Sequence, residues 1–206
     1  MHFNEISTRL GALRKKDVEI SASIIGENLL LSDLFFISSA DRSARLIDGF
    51  LPLLQSKNLT SAAPLLRLQI DNCLRTYAAF LVDDPDDFSQ RVLFDNVKVS
   101  SIRDRDGKKM SDVYLRQKLS EIDPKVSDAY IAASGFIHLS DKALFTMVDT
   151  HGDYQVTFNV GGDLKSKLNN YLIECGLAFV HFTQLHLALL KKVADAKVVI
   201  DAGAID

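Results

Sequence analysis

The sequence contains no tryptophan, only two cysteines and only four prolines in 206 residues. Cys73 and Cys175 both lie in apolar helical patterns, and neither has a second cysteine or a paired histidine nearby. Disulfide frameworks and zinc sites use such residues in pairs at characteristic spacings. Both cysteines are therefore predicted to be reduced core thiols. The sequence predicts no metal site, and no motif indicates a cofactor.

The chain also lacks a long apolar run and a large net charge. No run approaches the roughly 18 residues that a membrane span needs, and the stretch from Met1 to Lys16 is too polar for a signal peptide. A formal net charge of -3 argues against a whole surface that binds nucleic acid. The expectation is a cytoplasmic protein without membrane contact, and a hydrophobic content of 47% favours one domain over residues 1–206.

Helical periodicity is the dominant pattern. Apolar residues recur at three- and four-residue steps, which is the spacing of amphipathic helices. Because of Gly11 and Gly26, the first of these stretches is predicted as either one helix or two. The stretch at 60–82 is apolar nearly all round, so it is predicted to lie at the centre of a bundle. The predicted helical stretches are 5–37, 39–58, 60–82, 83–94, 111–122, 124–140 and 163–195.

The helical period stops before the last helix. The segments "ALFTMVD" and "YQVTFNV" are rich in β-branched and aromatic residues, and the "THGD" between them is typical of a turn. A β-hairpin insertion is therefore predicted at 144–160, and residues 197–206 are predicted to form a tail. The predicted fold is mainly α, a helical bundle with one small β-hairpin before the last long helix.

Two files of polar side chains interrupt the apolar pattern. Arg67, Asp71 and Arg75 recur every four residues on one face of the most apolar helix. Buried charges need partners, so something polar is expected opposite them. The second file, Tyr130, Ser134 and His138, is the candidate for that position. We expect Asp71 and His138 to hydrogen-bond, directly or through one water.

This predicted polar seam has two interpretations. It is either a satisfied network that fixes helix register, with Asp71 and Ser134 among its members, or a cleft that carries chemistry. In the cleft interpretation Arg67 or Arg75 binds an anion, and His138 and Tyr130 complete a catalytic site. The ordinary pKa of histidine suits His138 to proton transfer near neutral pH.

The segment from Lys98 to Lys118 has seven basic residues against three acidic ones. Clustered basic side chains bind nucleic acid by neutralising phosphates. A solvated loop of mixed charge is the alternative interpretation. The candidate nucleic-acid-binding residues are Lys98, Arg103, Arg105, Lys108, Lys109 and Arg116.

Three segments in order, "ADRSARLIDGFLPLLQSKN", "LLRLQIDNCLRTYAAFL" and "YIAASGFIHLS", resemble bacterial helical proteins related to the HEPN superfamily. The resemblance covers about residues 40–142. In that group an "LxR" helix with an acidic residue four positions on precedes a helix with a Tyr, Ser and His pattern. The resemblance implies an α-helical bundle, dimerisation, and association with RNA cleavage or with toxin and phage-defence systems. The matching residues here are Arg67, Asp71, Tyr130, Ser134 and His138.

The chain departs from the ribonuclease members of that group. They carry an Arg followed four to six residues later by a His on one helix, whereas the nearest Arg before His138 is Arg116. Asp71 also stands where many relatives have a glutamate. We therefore expect a HEPN-like protein that acts by association, as a homodimer or with a protein partner, in a bacterial stress or defence system. The alternatives are an RNA-directed ribonuclease with an unconventional Arg/His site, and a sensor of a small anionic ligand or nucleotide, so whether it is an enzyme stays open.

Overall fold

A computed structural model describes residues 3–136, 148–151, 155–158 and 166–202. Most of these residues are helical, and a 3-10 turn spans Val99–Ser101. The fold is mainly α and the predicted helical bundle is confirmed. Its helices are α1 (Phe3–Ile25), α2 (Leu31–Gln55), α3 (Leu59–Ala78), α4 (Pro85–Leu93), α5 (Asp112–Ser120), α6 (Lys125–Ser134) and α7 (Ser166–Asp201).

Two short strands precede α7, β1 (Val148–His151) and β2 (Gln155–Phe158). They pair antiparallel, with Val148 opposite Phe158 and His151 opposite Gln155. Both strands fall inside the range 144–160 in which the helical period of the sequence stops.

The core lies between the four longest helices. α3 contacts α2, α5, α6 and α7, while α1 packs on α2 and α7. The central position predicted for the helix at 60–82 follows from its apolar circumference, which needs a partner on every side. Phe50 of α2 and Phe179 of α7 are fully buried, and their ring centroids stack 4.2 Å apart. Each fully buried side chain of this kind stabilises the fold by about 1.5–3 kcal/mol.

A glycine breaks the helical stretch predicted at 5–37. Gly26 has a φ of 54°, in the left-handed region that a residue with a Cβ adopts only with strain. A Cβ at this position would also collide with the side chains of Lys197 and Asp201. The stretch is therefore two helices, and α2 continues from Leu31 through the stretch predicted as a separate helix at 39–58. Gly11, in contrast, stays within α1.

Side-chain caps fix several helix starts. Asn58 Oδ1 accepts from the Ser61 amide at 3.1 Å, and Asp84 Oδ1 accepts from the Asp87 amide at 3.0 Å. Ser111 caps α5 by accepting from the Tyr114 amide. The start predicted at residue 60 is wrong by one residue, because Asn58 provides the cap.

The last helix is longer than its predicted range. It continues to Asp201, so the predicted end near residue 195 is wrong. The predicted tail over 197–206 is also wrong for residues 197–201, which are helical. The reason is Lys197, whose side chain is only 2% exposed and whose Nζ lies 2.6 Å from Asp33 Oδ2. Burying a lysine is stable only with such a partner, so the pair fastens the end of α7 to the start of α2.

Two further features of the helices differ from the sequence expectations. α6 ends at Ser134, before the predicted end near residue 140. By length and composition α7 could also cross a membrane, with a mean hydropathy of 1.4 over its most apolar stretch. Since 50% of that stretch is buried inside the bundle, its apolar character serves the core here.

Candidate functional site: an arginine cluster around α3

The charged residues on one face of α3, which are Arg67, Asp71 and Arg75, form a row of alternating sign. Asp71 Oδ1 lies 3.9 Å from Arg67 Nη1 and 3.4 Å from Arg75 Nε. The four-residue spacing places all three side chains over successive turns, so one carboxylate lies between two guanidinium groups. Arg67 is only 12% exposed and Asp71 20%, so the row is largely withdrawn from water but still reaches it.

The side chains opposite Arg67 come from α6. The guanidinium carbon of Arg67 lies 3.5 Å from the centroid of the Tyr130 ring, and its Nε donates to Ser134 Oγ at 3.2 Å. A cation over an aromatic face is stabilised further when it is partly desolvated. The structure therefore brings together Arg67, Tyr130 and Ser134, which the sequence placed on two facing files.

Three more charged residues complete the site. Arg42 of α2 lies 3.9 Å from Asp71, and Arg75 Nη2 donates to Asp112 at the start of α5. Arg116 of α5 has its guanidinium carbon 5.2 Å from the centroid of the Tyr130 ring. We call Arg42, Arg67, Arg75 and Arg116, with Asp71 and Asp112, the arginine cluster.

His138 lies outside the described residues, so its hydrogen bond with Asp71 remains a prediction. The two histidines whose side chains the structure describes make their contacts elsewhere. His181 Nε2 lies 2.5 Å from Asp123 Oδ2, just before the start of α6. His186 is fully buried in the core. Within the described part of the chain, the arginine cluster thus contains groups that bind anions and no histidine.

The predicted nucleic-acid-binding residues are divided between different structural roles. Arg105 donates to the carbonyls of Phe80 and Leu81, at 2.8 Å and 3.2 Å, beyond the end of α3. Arg103 donates to the Gly107 carbonyl, and Arg116 lies against Tyr130. Lys98, Lys108 and Lys109 are exposed. Three lysines on a loop form a weaker phosphate-binding surface than the six residues that the sequence suggested.

The loop that carries these residues is fixed from within. Asp104 is buried, and its Oδ1 accepts from the amides of Asp106 and Lys108 at 3.1 Å and 2.8 Å. The hydroxyl of Tyr114 donates to the other carboxylate oxygen, and this hydrogen bond raises the pKa of Tyr114 to about 12. Some of the charged residues between 98 and 118 therefore stabilise the loop itself. The sequence alone did not distinguish them from residues that could bind a ligand.

Sequence reasoning missed a second polar cluster, which lies in the core. Asp17, Ser43 and Gln69 are fully buried; Ser43 Oγ donates to Asp17 Oδ2 at 3.0 Å and receives a 2.9 Å hydrogen bond from Gln69 Nε2. His186 Nδ1 lies 3.9 Å from Asp17 Oδ1. We call this set the inner polar network. Around His186 Nε2 it also includes Ser39, Asn72 and Thr76, at 3.2 Å, 3.3 Å and 3.2 Å.

Burial controls the charge of the inner polar network. It raises the pKa of Asp17 to about 7, against the opposing hydrogen bond from Ser43, and it lowers the pKa of His186 to about 3. One feature of the sequence could have predicted this network. Asp17 follows Leu10 and Leu13 on the apolar face of α1, a position where a carboxylate needs an internal partner. Because the network is sealed from water, it is structural and cannot receive a substrate.

Both cysteines are buried free thiols, as their apolar surroundings predicted. Burial raises the pKa of Cys175 to about 12 and that of Cys73 further still. A thiol reacts as its thiolate, so neither side chain is suited to nucleophilic chemistry near neutral pH.

A groove runs between α1 and α7, and its lining residues come from these two helices. Its volume is about 610 Å³, and its charged lining residues are Lys16 and Glu19 of α1 with Lys191 and Asp195 of α7. Neighbouring turns of the two helices supply an aliphatic lining between these charges. The apolar lining residues are Leu13, Ile20, Leu187, Ala188, Ala194 and Val198.

Comparison with known proteins finds no relative. No protein-family model matches the chain, and no curated protein or solved structure matches it. The resemblance to HEPN proteins therefore rests on the three sequence segments, and a function has to be inferred from the geometry.

Proposed function

We propose that this chain is a cytoplasmic HEPN-like helical protein that acts by association in a bacterial stress or defence system. It forms a homodimer through the groove between α1 and α7, or uses that surface for a protein partner. The observation that supports this proposal is the groove itself. Of its aliphatic lining, Ile20, Ala188 and Val198 reach water, and such a surface is one that a partner helix covers in helix-in-groove recognition.

The charges of the groove favour a second copy as the partner. A two-fold axis brings one surface against itself, so that surface has to be self-complementary. Lys16 and Lys191 balance Glu19 and Asp195, which gives the groove no net charge. If the groove faces of two α7 helices cross antiparallel midway between Lys191 and Asp195, Lys191 of each copy faces Asp195 of the other. A groove of one sign would instead repel its own copy.

Apolar surface continues beyond the groove where α1 and α7 end. Val198 lines the groove and is 67% exposed, while Ile25 and Leu29 in the chain leading from α1 to α2 are 48% and 56% exposed. Exposed apolar side chains that cluster in this way mark interaction surfaces. The extension enlarges the area that a second copy would remove from water.

Ala188→Arg is expected to convert the protein from a dimer to a monomer. Ala188 is exposed and lines the groove, so arginine adds bulk and charge to the interface without removing a core contact. Light scattering at micromolar concentration should give the dimer mass for the wild type and the monomer mass for the variant, and circular dichroism should show that the variant keeps the wild-type helix content. Because dimerisation stabilises the folded state, the melting temperature of the variant should fall to a value that no longer depends on protein concentration. Ala196→Arg is the matched control, because Ala196 is exposed on the same helix outside the groove and should leave the dimer intact. A wild-type monomer, or a dimer that survives Ala188→Arg, would contradict the proposal.

The ribonuclease alternative depends on His138. The arginine cluster could stabilise a phosphate, but cleavage also needs a group that transfers a proton, and the described part of the cluster has no histidine. We expect no cleavage of single-stranded RNA by the wild-type protein in a gel assay. Cleavage by the wild type that disappears in a normally folded His138→Ala variant would favour the ribonuclease instead.

A further inference from the structure

We propose that the arginine cluster is a binding site for the phosphate group of a small phosphorylated molecule, such as a phosphate monoester or a nucleotide. The site lies where α2, α3, α5 and α6 meet, away from the groove between α1 and α7. The inference does not depend on dimerisation, and each proposal can fail without the other.

The first support is the balance of charge. The guanidinium groups of Arg42, Arg67 and Arg75 lie within 3.9 Å of Asp71, and Arg75 also pairs with Asp112. The fourth guanidinium, that of Arg116, contacts Tyr130 beside Arg67. Among the described residues, the site therefore carries two positive charges more than its own carboxylates neutralise. A phosphate monoester carries a charge of about -1.5 to -2 at neutral pH, which matches that excess.

The second support is the set of hydrogen-bond donors. Arg42 Nη2 and Arg67 Nη1 each lie 3.9 Å from an oxygen of Asp71, close enough for ionic attraction but too far for a hydrogen bond. The Nε of Arg116 is buried and has no partner among the described residues. A guanidinium has five N–H donors in a planar fork that fits phosphate oxygens. Three arginines thus have donors for an incoming oxyanion.

The third support is preorganisation. Tyr130 contacts the guanidinium groups of both Arg67 and Arg116, and Ser134 holds the Nε of Arg67. Side chains fixed in advance lose less conformational entropy when a ligand binds. Arg67 is nearly withdrawn from water, which strengthens its electrostatic interactions. Arg42 is 49% exposed and marks the side from which a ligand can approach.

Binding is tested with inorganic phosphate and adenosine monophosphate, by calorimetry and by melting temperature at constant ionic strength. A ligand that binds only the folded state raises the melting temperature. We expect both probes to raise it and to release or absorb heat on titration, whereas potassium chloride at the same ionic strength should not. The affinity should fall as the salt concentration rises.

Arg42→Gln and Arg116→Gln are each expected to weaken binding by about tenfold or more, since each removes a charged donor. Arg42 is half-exposed, so its variant should fold normally. Arg45→Gln is the matched control, because Arg45 is exposed on the same helix and pairs only with Asp41 among the described residues. It should bind like the wild type.

Three results would overturn the proposal. The first is no heat and no melting shift for the wild type at millimolar phosphate or adenosine monophosphate. The second is an Arg42→Gln variant that folds and binds with wild-type affinity. The third is binding of a single-stranded RNA oligomer without binding of either small probe, which would assign the cluster to a nucleic-acid surface.

Discussion

Replacing Asp33 with asparagine is expected to destabilise the protein by about 3 kcal/mol or more, because it leaves the buried ammonium of Lys197 without its close counter-charge. Lys197 Nζ lies 2.6 Å from Asp33 Oδ2 and also donates to the Asn28 carbonyl. The carboxylate of Asp201 is more distant, at 4.0 Å. Asparagine has nearly the same shape as aspartate, so the change tests the charge rather than the packing. Urea denaturation measures the loss in the free energy of unfolding.

An exposed pair on the helix of Asp33 provides the control. Arg45 and Asp41 lie 2.7 Å apart with side chains 77% and 59% exposed, and surface pairs of this kind contribute about 0.2–1 kcal/mol. Asp41→Asn should therefore cost far less than Asp33→Asn. Adding Lys197→Met to Asp33→Asn should recover part of the loss, because it removes the unpaired charge. Equal costs for Asp33→Asn and Asp41→Asn would show that burial does not govern the pair.

Lys197 also shows why the sequence did not predict where the last helix ends. Periodicity predicted the body of α7 because its apolar residues recur within one helix. A lysine near the chain end, read without its partner, is typical of a solvated tail. Asp33 is 164 positions away in the sequence. Local patterns report on neighbours within a few turns and carry no information on a pairing of that range.

The sequence likewise predicted one part of the candidate site and not the rest. Four-residue spacing was enough to place Arg67, Asp71 and Arg75 on one face of α3, and the need to pair buried charge predicted polar side chains opposite. Arg42 and Asp112 were not predicted, because they enter from α2 and α5, and only the packing angles of those helices bring them to Asp71 and Arg75. The excess positive charge is therefore a tertiary property, although each arginine is visible in the sequence.

The inner polar network is expected to contain two opposite pH dependences that nearly cancel in the wild type. Burial raises the pKa of Asp17 from 3.8 to about 7, so between these values the folded state holds a proton that the unfolded state has lost. This contribution makes stability fall as the pH rises. The pKa of His186 is lowered from 6.5 to about 3, so between these values the unfolded state holds the additional proton. That contribution makes stability rise with pH.

Single variants should separate the two contributions. His186→Gln leaves Asp17 alone, so the free energy of unfolding should fall as the pH rises from about 4 to about 6.5. Asp17→Asn leaves His186 alone, so over the same range it should rise. One proton held by only one of the two states changes the free energy of unfolding by about 1.4 kcal/mol for each step of one in pH, so each change should reach about 3 kcal/mol across this window. Asparagine can still accept the hydrogen bond from Ser43, which keeps that contact in the variant.

The measurement is urea denaturation at several pH values from about 4 to about 6.5 for the wild type and both variants. Relative to the wild-type profile, the two variant profiles should diverge in opposite directions and cross. Asp41→Asn is the control, because its carboxylate is 59% exposed and its loss should leave the shape of the wild-type profile unchanged. Parallel profiles for Asp17→Asn and His186→Gln would show that the two groups do not titrate differently on folding. Opposite slopes would establish that the core holds a neutral histidine beside a carboxyl group that keeps its proton to near-neutral pH, because at that depth neither charge has enough water to stabilise it.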